Sequence, residues 1–298
     1  MQSGERYYSI SNYLKEHFNR KTVKLSIDAG FTCPNRDGTI GTGGCAFCSG
    51  GGSGELSSGI EEQIELLKDK WPDAAYLAYF QSFTNTYAPV GVLREKYYEA
   101  LRDPRIEGIV IATRPDCLGD DVIELLSEIN EKYFLWVELG LQSIHNRTTE
   151  YLGIGYGIDV YDDAVSRLKA RGIRVVTHLI LGLPGETRED MFESVRHVCE
   201  MGTWGIKLHL LNIVRTARLY SMCPDYVPFS SIDEYTDLIV DLLEIIPPEV
   251  TIHRLTGDVP RKLLVSPEWS YRKRTILNEI NRKLKERNTV QGARSCNS

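Results

Sequence analysis

Residues 23–48 read VKLSIDAGFTCPNRDGTIGTGGCAFC. The run at 23–28 predicts a strand, and it opens directly into a loop carrying Cys33, Cys45 and Cys48 with the spacing Cys-x11-Cys-x2-Cys. Five glycines, at 38, 41, 43, 44 and 50, lie within or beside this loop, so its backbone can wrap closely around a bulky inorganic group. Thiolates are the usual ligands of iron–sulfur clusters, which normally take four. Three neighbouring cysteines leave one iron open for a small molecule. The alternative is a structural zinc site, which wants four closed ligands. The loop contains no fourth Cys or His, and His17 is the nearest upstream candidate.

Outward from this loop, apolar strand-like runs at 75–80, 108–112, 135–140, 174–179, 205–211 and 250–253 alternate with helical patterns at 60–70, 90–101, 121–131, 159–171, 188–201 and 231–246. Strands alternating with helices predict a parallel sheet with crossover helices. The fold expected is α/β, a partial (β/α)6-type barrel over 1–260, followed by a basic extension over 261–298 with one helix at 272–287. Polar residues gather at the strand C-terminal ends, where βα loops build the active site of such barrels. They include Gln81, Thr84 and Asn85 after the second strand, Arg114 and Asp116 after the third, and Gln142 after the fourth. Side-chain alternation places Glu138 and Gln142, four apart, on one face of their strand. An acid inside a barrel is costly unless paired or ligand-bound.

The opening residues show no apolar run like a signal peptide, and no stretch approaches the roughly 20 apolar residues of a membrane span. A cytoplasmic location with no membrane partner is expected. Seven cysteines, unevenly spread, fit metal or redox chemistry in a reducing compartment better than a disulfide framework. Net charge is −6, yet residues 261–298 carry ten Lys/Arg against three Glu. That tail could bind a polyanion or be the solvated face of a terminal helix.

The cysteine loop resembles that of radical S-adenosylmethionine (SAM) enzymes, in the long-spaced form of the elongator catalytic subunit. Further blocks resemble the YhcC/YtqA group: residues 79–89 (YFQSFTNTYAP), 113–117 (TRPDC), 138–143 (ELGLQS), 177–186 (THLILGLPGE), 253–258 (HRLTGD) and 267–270 (PEWS). The resemblance implies that Cys33, Cys45 and Cys48 hold a [4Fe–4S] cluster whose fourth iron is chelated by SAM. Reductive cleavage of SAM then yields a 5′-deoxyadenosyl radical. It also implies that Phe47 lies beside the adenine, and that Gln81, Thr84 and Asn85 stand where relatives contact the SAM amino group. Gln142 then contacts SAM, Glu138 lines the same cavity, and His178 lies on the ribose side. For Gln81, Thr84 and Asn85 the competing reading is a turn that caps the loop.

One departure stands out. Relatives carry Asn-Arg-Gly-His where this chain has Gly153-Ile154-Gly155-Tyr156, so the arginine expected to grip the SAM carboxylate is replaced by Ile154. The group is implicated in tRNA wobble-uridine maturation, and its YtqA-like branch resembles an enzyme converting 5-carboxymethylaminomethyl uridine to 5-aminomethyl uridine. The expected partners are tRNA, tracked by the basic tail with Trp269 and Tyr271, and an electron donor such as flavodoxin or ferredoxin. The alternatives are radical SAM chemistry on a small molecule, or a cluster-binding protein without productive SAM cleavage.

Overall fold

The computed structural model describes residues 5–50 and 59–295; Cys296 lies outside them. In chain order the strands are β1 (Thr22–Ile27), β2 (Ala75–Phe80), β3 (Ile106–Thr113), β4 (Phe134–Gln142), β5 (Arg174–Leu181), β6 (Gly205–Leu210), β7 (Ile213–Val214), β8 (Thr251–Arg254) and β9 (Leu264–Ser266). All but β7 and β9 form one parallel sheet, in the order β1-β2-β3-β4-β5-β6-β8; β7 and β9 pair separately as an antiparallel ribbon. Crossover helices join successive strands: α2 (Ile60–Leu67), α3 (Val90–Leu101), α4 (Asp120–Asn130), α6 (Ile158–Ala170), α7 (Arg188–Glu200) and α9 (Ile232–Ile245). Repeated crossovers of one hand curl such a sheet into an open barrel. The result is six βα units with β8 added as a seventh strand, as the alternation predicted. Two short helices, α5 (Asn146–Leu152) and α8 (Arg218–Met222), lie at the rim. They span too few turns to show a helical period in sequence.

Strand alternation separates two environments. Leu135, Val137, Leu139 and Leu141 of β4 pack outward against the helices, whereas Phe134 and Trp136 belong to a separate interior cluster with Leu77, Tyr79, Val110 and Val176. The helix α1 (Ile10–Phe18) closes the N-terminal end of the barrel by adding Ile10, Tyr13, Leu14 and Phe18 to that interior cluster. Ser9 caps this helix, accepting the Asn12 N–H at 3.3 Å. The chain just before it covers the free edge of β8, with Tyr8 C=O accepting the Ile252 N–H at 2.8 Å.

The C-terminal helix α10 (Lys273–Glu286) lies where the sequence placed it, and part of the basic tail's charge is paired within the fold. Ile276, Ile280 and Leu284 are fully buried in the main core. Lys283 reaches Asp233 and Asp237 at 2.7 and 2.9 Å, Arg287 reaches Asp237 and Asp241 at 2.5 Å each, and Arg294 reaches Glu244 at 2.5 Å. These three cations of the basic tail therefore neutralise the acidic face of α9 and are spent there. Trp269 is likewise no free base-stacking ring, since it packs into the core 5.9 Å from Tyr235. Tyr271 is exposed, with the guanidiniums of Arg261 and Arg272 at 4.3 and 5.7 Å from its ring centre.

Candidate active site

The cysteine loop folds on its own hydrogen bonds and then docks across the barrel mouth. Cys33 C=O accepts the N–H of Arg36 at 2.8 Å, Asn35 C=O accepts that of Gly44 at 2.7 Å, and Cys45 C=O accepts that of Cys48 at 2.9 Å. Ala46 is the anchor: its N–H donates to Leu152 C=O at 2.8 Å, and its C=O accepts from Leu219 at 2.7 Å. Around it, Phe47 and Cys45 pack on Leu152, Ile154, Ile180, Leu183, Leu211 and Leu219. Phe47 is thus partly buried at the loop–rim junction. Gly44 has φ +72, and a Cβ there would meet the Arg36 guanidinium at 3.2 Å, so a glycine lets the loop close over that side chain.

Polar groups converge on the sulfurs. Asn35 Nδ2 donates to Cys45 Sγ at 3.3 Å and also holds the carbonyls of Gly153 and Ile154 at 2.8 and 3.0 Å. Arg36 Nη2 lies 3.3 Å from Cys48 Sγ and 2.5 Å from Ser49 C=O. Burial raises the Cys45 thiol pKa, a rise partly offset by the Asn35 N–H. Among the described residues, no group of three metal-binding side chains that includes these cysteines has its ligand atoms all within 4.8 Å of one another. Tetrahedral zinc, with Zn–S near 2.3 Å, draws thiolates to about 3.8 Å apart. His17, the possible fourth zinc ligand, sits at the opposite end of the barrel, 4.5 Å from the Phe134 ring. The Asn35 amide at Cys45 and the Arg36 guanidinium at Cys48 suit the ligand sulfurs of an anionic iron–sulfur cluster.

Among the described residues, Cys117 and Cys223 lie near this loop, Cys117 lining a cavity with Pro34 and Ile40 and Cys223 packing on the same apolar cluster as Phe47, whereas Cys199 lies on α7. Burial pushes the Cys117 and Cys199 thiols up to about 12, which leaves them inert. Cys223 bonds its own helix at Leu219 C=O.

The loop after β2 abuts the cysteine loop, with Thr84 N–H donating to Thr32 C=O at 3.2 Å and Arg36 lying 5.2 Å from the Phe83 ring. Gln81 is half-buried at the strand end, and Thr84 is buried. Asn85 is fully buried, and its Nδ2 donates to Phe80 C=O at 3.1 Å and Ala112 C=O at 2.8 Å, tying β2 to β3. Its Oδ1 has no hydrogen-bond partner among the described residues. Gln142 adopts φ 70, uncommon for a side chain of its size, at a register shift between β4 and β5. Its Nε2 folds over Gly140, where a Cβ would lie only 2.6 Å away, so the glycine makes room for the amide.

Glu138 has protein partners on every side. It is fully buried inside the barrel and forms an ion pair with Lys207. Its carboxylate also accepts from Tyr79 Oη at 2.6 Å, Trp136 Nε1 at 3.0 Å and His178 Nε2 at 3.0 Å, with Lys24 Nζ at 3.9 Å. Burial alone would raise its carboxyl pKa, but the charge of Lys207, then Lys24, then the His178 contact outweigh it and hold the group well below its ordinary range. A carboxylate only accepts, so the His178 proton sits on Nε2. Burial, then the Lys207 charge, push His178 down to about 4, which makes it neutral. Glu138 and His178 thus face each other beneath the mouth, and the pairing that a buried acid demands is met by Lys207.

The chain matches the radical SAM superfamily over residues 36–198 and the radical SAM C-terminal domain over 203–286. It is 44% identical to the uncharacterized protein YtqA of Bacillus subtilis over 97% of this chain and 92% of YtqA. The chain belongs to the radical SAM superfamily. Protein YhcC of Escherichia coli is 37% identical over 94% of this chain and 92% of YhcC, which places the chain in the YhcC/YtqA subgroup. A tRNA uridine(34) acetyltransferase of Methanocaldococcus jannaschii is 27% identical over 54% of this chain and 30% of its own. Among solved structures, the archaeal Methanocaldococcus infernus Elp3 superposes with a TM-score of 0.66 at 18% identity, over 77% of this chain and 58% of that one, a likeness of fold.

The cofactors of this superfamily are a [4Fe–4S] cluster and SAM, and when bound they supply a 5′-deoxyadenosyl radical. Cys33, Cys45 and Cys48 would hold the cluster, with Asn35 and Arg36 donating to its ligand sulfurs. Ile154 is buried in the apolar cluster under the loop and offers no charge. Two guanidiniums flank it instead: Arg218 lies 2.8 Å from the Cβ position of Gly153, and Arg114 lies 3.6 Å from that of Gly155. Arg114 is oriented by Asp116 through bonds of 2.9 and 2.7 Å and lies 4.7 Å from the Tyr156 ring. Asn35, Arg36, Lys24 and Tyr79 were not singled out in sequence. A lysine inside a predicted strand was the available signal for Lys24.

Proposed function

We propose that this protein modifies the tRNA wobble uridine, converting 5-carboxymethylaminomethyl uridine to 5-aminomethyl uridine by radical chemistry. The observation that carries the reading is the alignment of half the chain with a tRNA uridine(34) acetyltransferase, on top of membership in the radical SAM superfamily. A C–H bond beside an amine nitrogen has no readily lost proton, so hydrogen-atom abstraction suits the task better than a general base. Phe47, Gln81, Thr84, Gln142 and His178 are the groups we assign to holding SAM at the barrel mouth. Glu138 orients His178 from below. A one-electron donor such as flavodoxin or ferredoxin completes the system, in the cytoplasm where tRNA is modified. No helix among the described residues is long and apolar enough to cross a membrane.

The deciding experiment is mass spectrometry of tRNA nucleosides from cells lacking the protein. We expect 5-carboxymethylaminomethyl uridine to accumulate and the nucleosides made from 5-aminomethyl uridine to disappear. Unchanged tRNA, with 5′-deoxyadenosine still formed by the reduced protein, would turn the reading toward a small-molecule substrate.

The RNA contact is assigned to Tyr271 with Arg261 and Arg272, an exposed ring between two guanidiniums suited to a base and its phosphates. Replacing both arginines by Ala should weaken tRNA binding roughly tenfold and lower the slope of log affinity against log salt by about one per arginine. Filter binding across a salt series checks this. An unchanged slope would move the contact elsewhere.

A further inference from the structure

The concave face of the barrel carries more positive than negative charge. Lys24 of β1, Lys207 of β6 and Arg254 of β8 all act electrostatically on one another's surroundings there, and among the described residues Glu138 is the carboxylate that acts on Lys24 and Lys207. The register sets Arg254 beside Lys207, and Lys207 beside His178, across three adjacent strands. Glu138 is fully committed to Lys207, Tyr79, Trp136 and His178. Arg254 is half-buried and, among the described residues, makes no hydrogen bond or ion pair. Nearer the rim, the His209 ring lies 5.2 Å from that of His178, and its Nε2 is buried without a partner.

A half-buried guanidinium without an acceptor is costly, and so is a buried imidazole nitrogen left unpaired. Arg254 stands level with Lys207 on the neighbouring strand, and His209 lies two residues further along β6 toward the open mouth. Native folds keep such groups where a ligand completes them. Guanidinium and ammonium groups select planar carboxylates or phosphates. The site lies deeper than the cysteine loop: Lys24 is the third residue of β1, and that strand must end at Ile27 before the chain reaches Cys33.

We infer that Arg254, Lys207 and Lys24, with His209, form an anion-binding site inside the barrel that takes a carboxylate of the substrate. The choice of a carboxylate rests on the wobble-uridine reading, in which the group to be removed ends in one; the charge imbalance stands without it. Lys207 supports the assignment. Burial holds it down to about 7 despite Glu138, so an arriving anion stabilises its charged form.

Anaerobic equilibrium dialysis of the reconstituted holoprotein against N-methylglycine and its uncharged-end analogue N-methylglycinamide tests the site without tRNA. We expect at least about tenfold preference for the acid, loss of that preference in Arg254→Gln, and its persistence when SAM is saturating. Lys207→Met should remove the preference too, but Arg254→Gln decides, because Arg254 has no partners whose loss would unfold the barrel. No preference, or retention of neither compound, overturns the site. So does a preference that survives Arg254→Gln. Loss of N-methylglycine binding on adding SAM overturns the substrate assignment and gives the site to the cofactor's own carboxylate. The wobble reading fails separately, on unchanged tRNA nucleosides, and would leave this binding result standing.

Discussion

Cys45→Ala is expected to empty the site of its cluster. Iron and acid-labile sulfide should fall from about four of each per chain to background, and 5′-deoxyadenosine formation should fall with them. Cys45 is half-buried, bonded by Asn35 and packed under the rim beside Phe47. Its loss leaves two thiolates, Cys33 and Cys48, where three must grip. Cys199→Ala provides the control. Cys199 lies on α7, packed against the outer core, and should leave iron, sulfide and turnover unchanged. Anaerobic metal and sulfide analysis of both variants measures the difference, with circular dichroism to show that each is folded. Equal cluster content in the two proteins would refute the ligand assignment. One zinc per wild-type chain in place of iron would do the same.

The cysteine trio was legible because its information is local: sixteen residues, one spacing, and glycines that let the backbone close. The seven parallel strands were legible for a related reason, since each is a short apolar run that states its own period. The interior network was not legible in that way. Lys24, Tyr79, Glu138, His178 and Lys207 come from five strands and meet only through sheet register, as where His178 pairs with Lys207. Sequence could say that Glu138 needs a partner, but not that Lys207, 69 residues on, would be it. The charged tail was only half legible for the same reason. Sequence shows its ten cations but not that Lys283 and Arg287 answer Asp233, Asp237 and Asp241, which lie about fifty residues earlier on α9. Asn85, placed by resemblance where relatives contact SAM, also ties two strands, because its Nδ2 serves the Phe80 and Ala112 carbonyls, a use invisible in sequence. Charge and polarity are visible in a sequence; whom they satisfy is a tertiary fact.

Glu138→Leu is expected to be among the most destabilising single changes in the barrel. It strands the Lys207 ammonium in a site where the side chain is only 3% exposed, and removes the acceptor of Tyr79, Trp136 and His178. Removing one member of a buried ion pair costs about 3–5 kcal/mol, which for a chain of this size lowers the melting temperature by roughly 10 °C. The double variant Glu138→Leu with Lys207→Met should recover at least about half of that loss, because it removes the orphaned charge along with its partner. The pH dependence isolates Lys207 further. Its folded pKa, near 7, lies below its ordinary value of 10.5, so between those limits the unfolded chain binds the extra proton. Stability should therefore rise with pH across that window, with the burden on the folded state complete below about 7 and gone above about 10.5. Thermal melts of wild type and Lys207→Met, compared at each pH, read out this difference: the wild type should gain on the variant as pH climbs from 7 toward 10. A constant gap between the two would mean that Lys207 stays fully protonated in the folded barrel, held by Glu138 more firmly than burial opposes it.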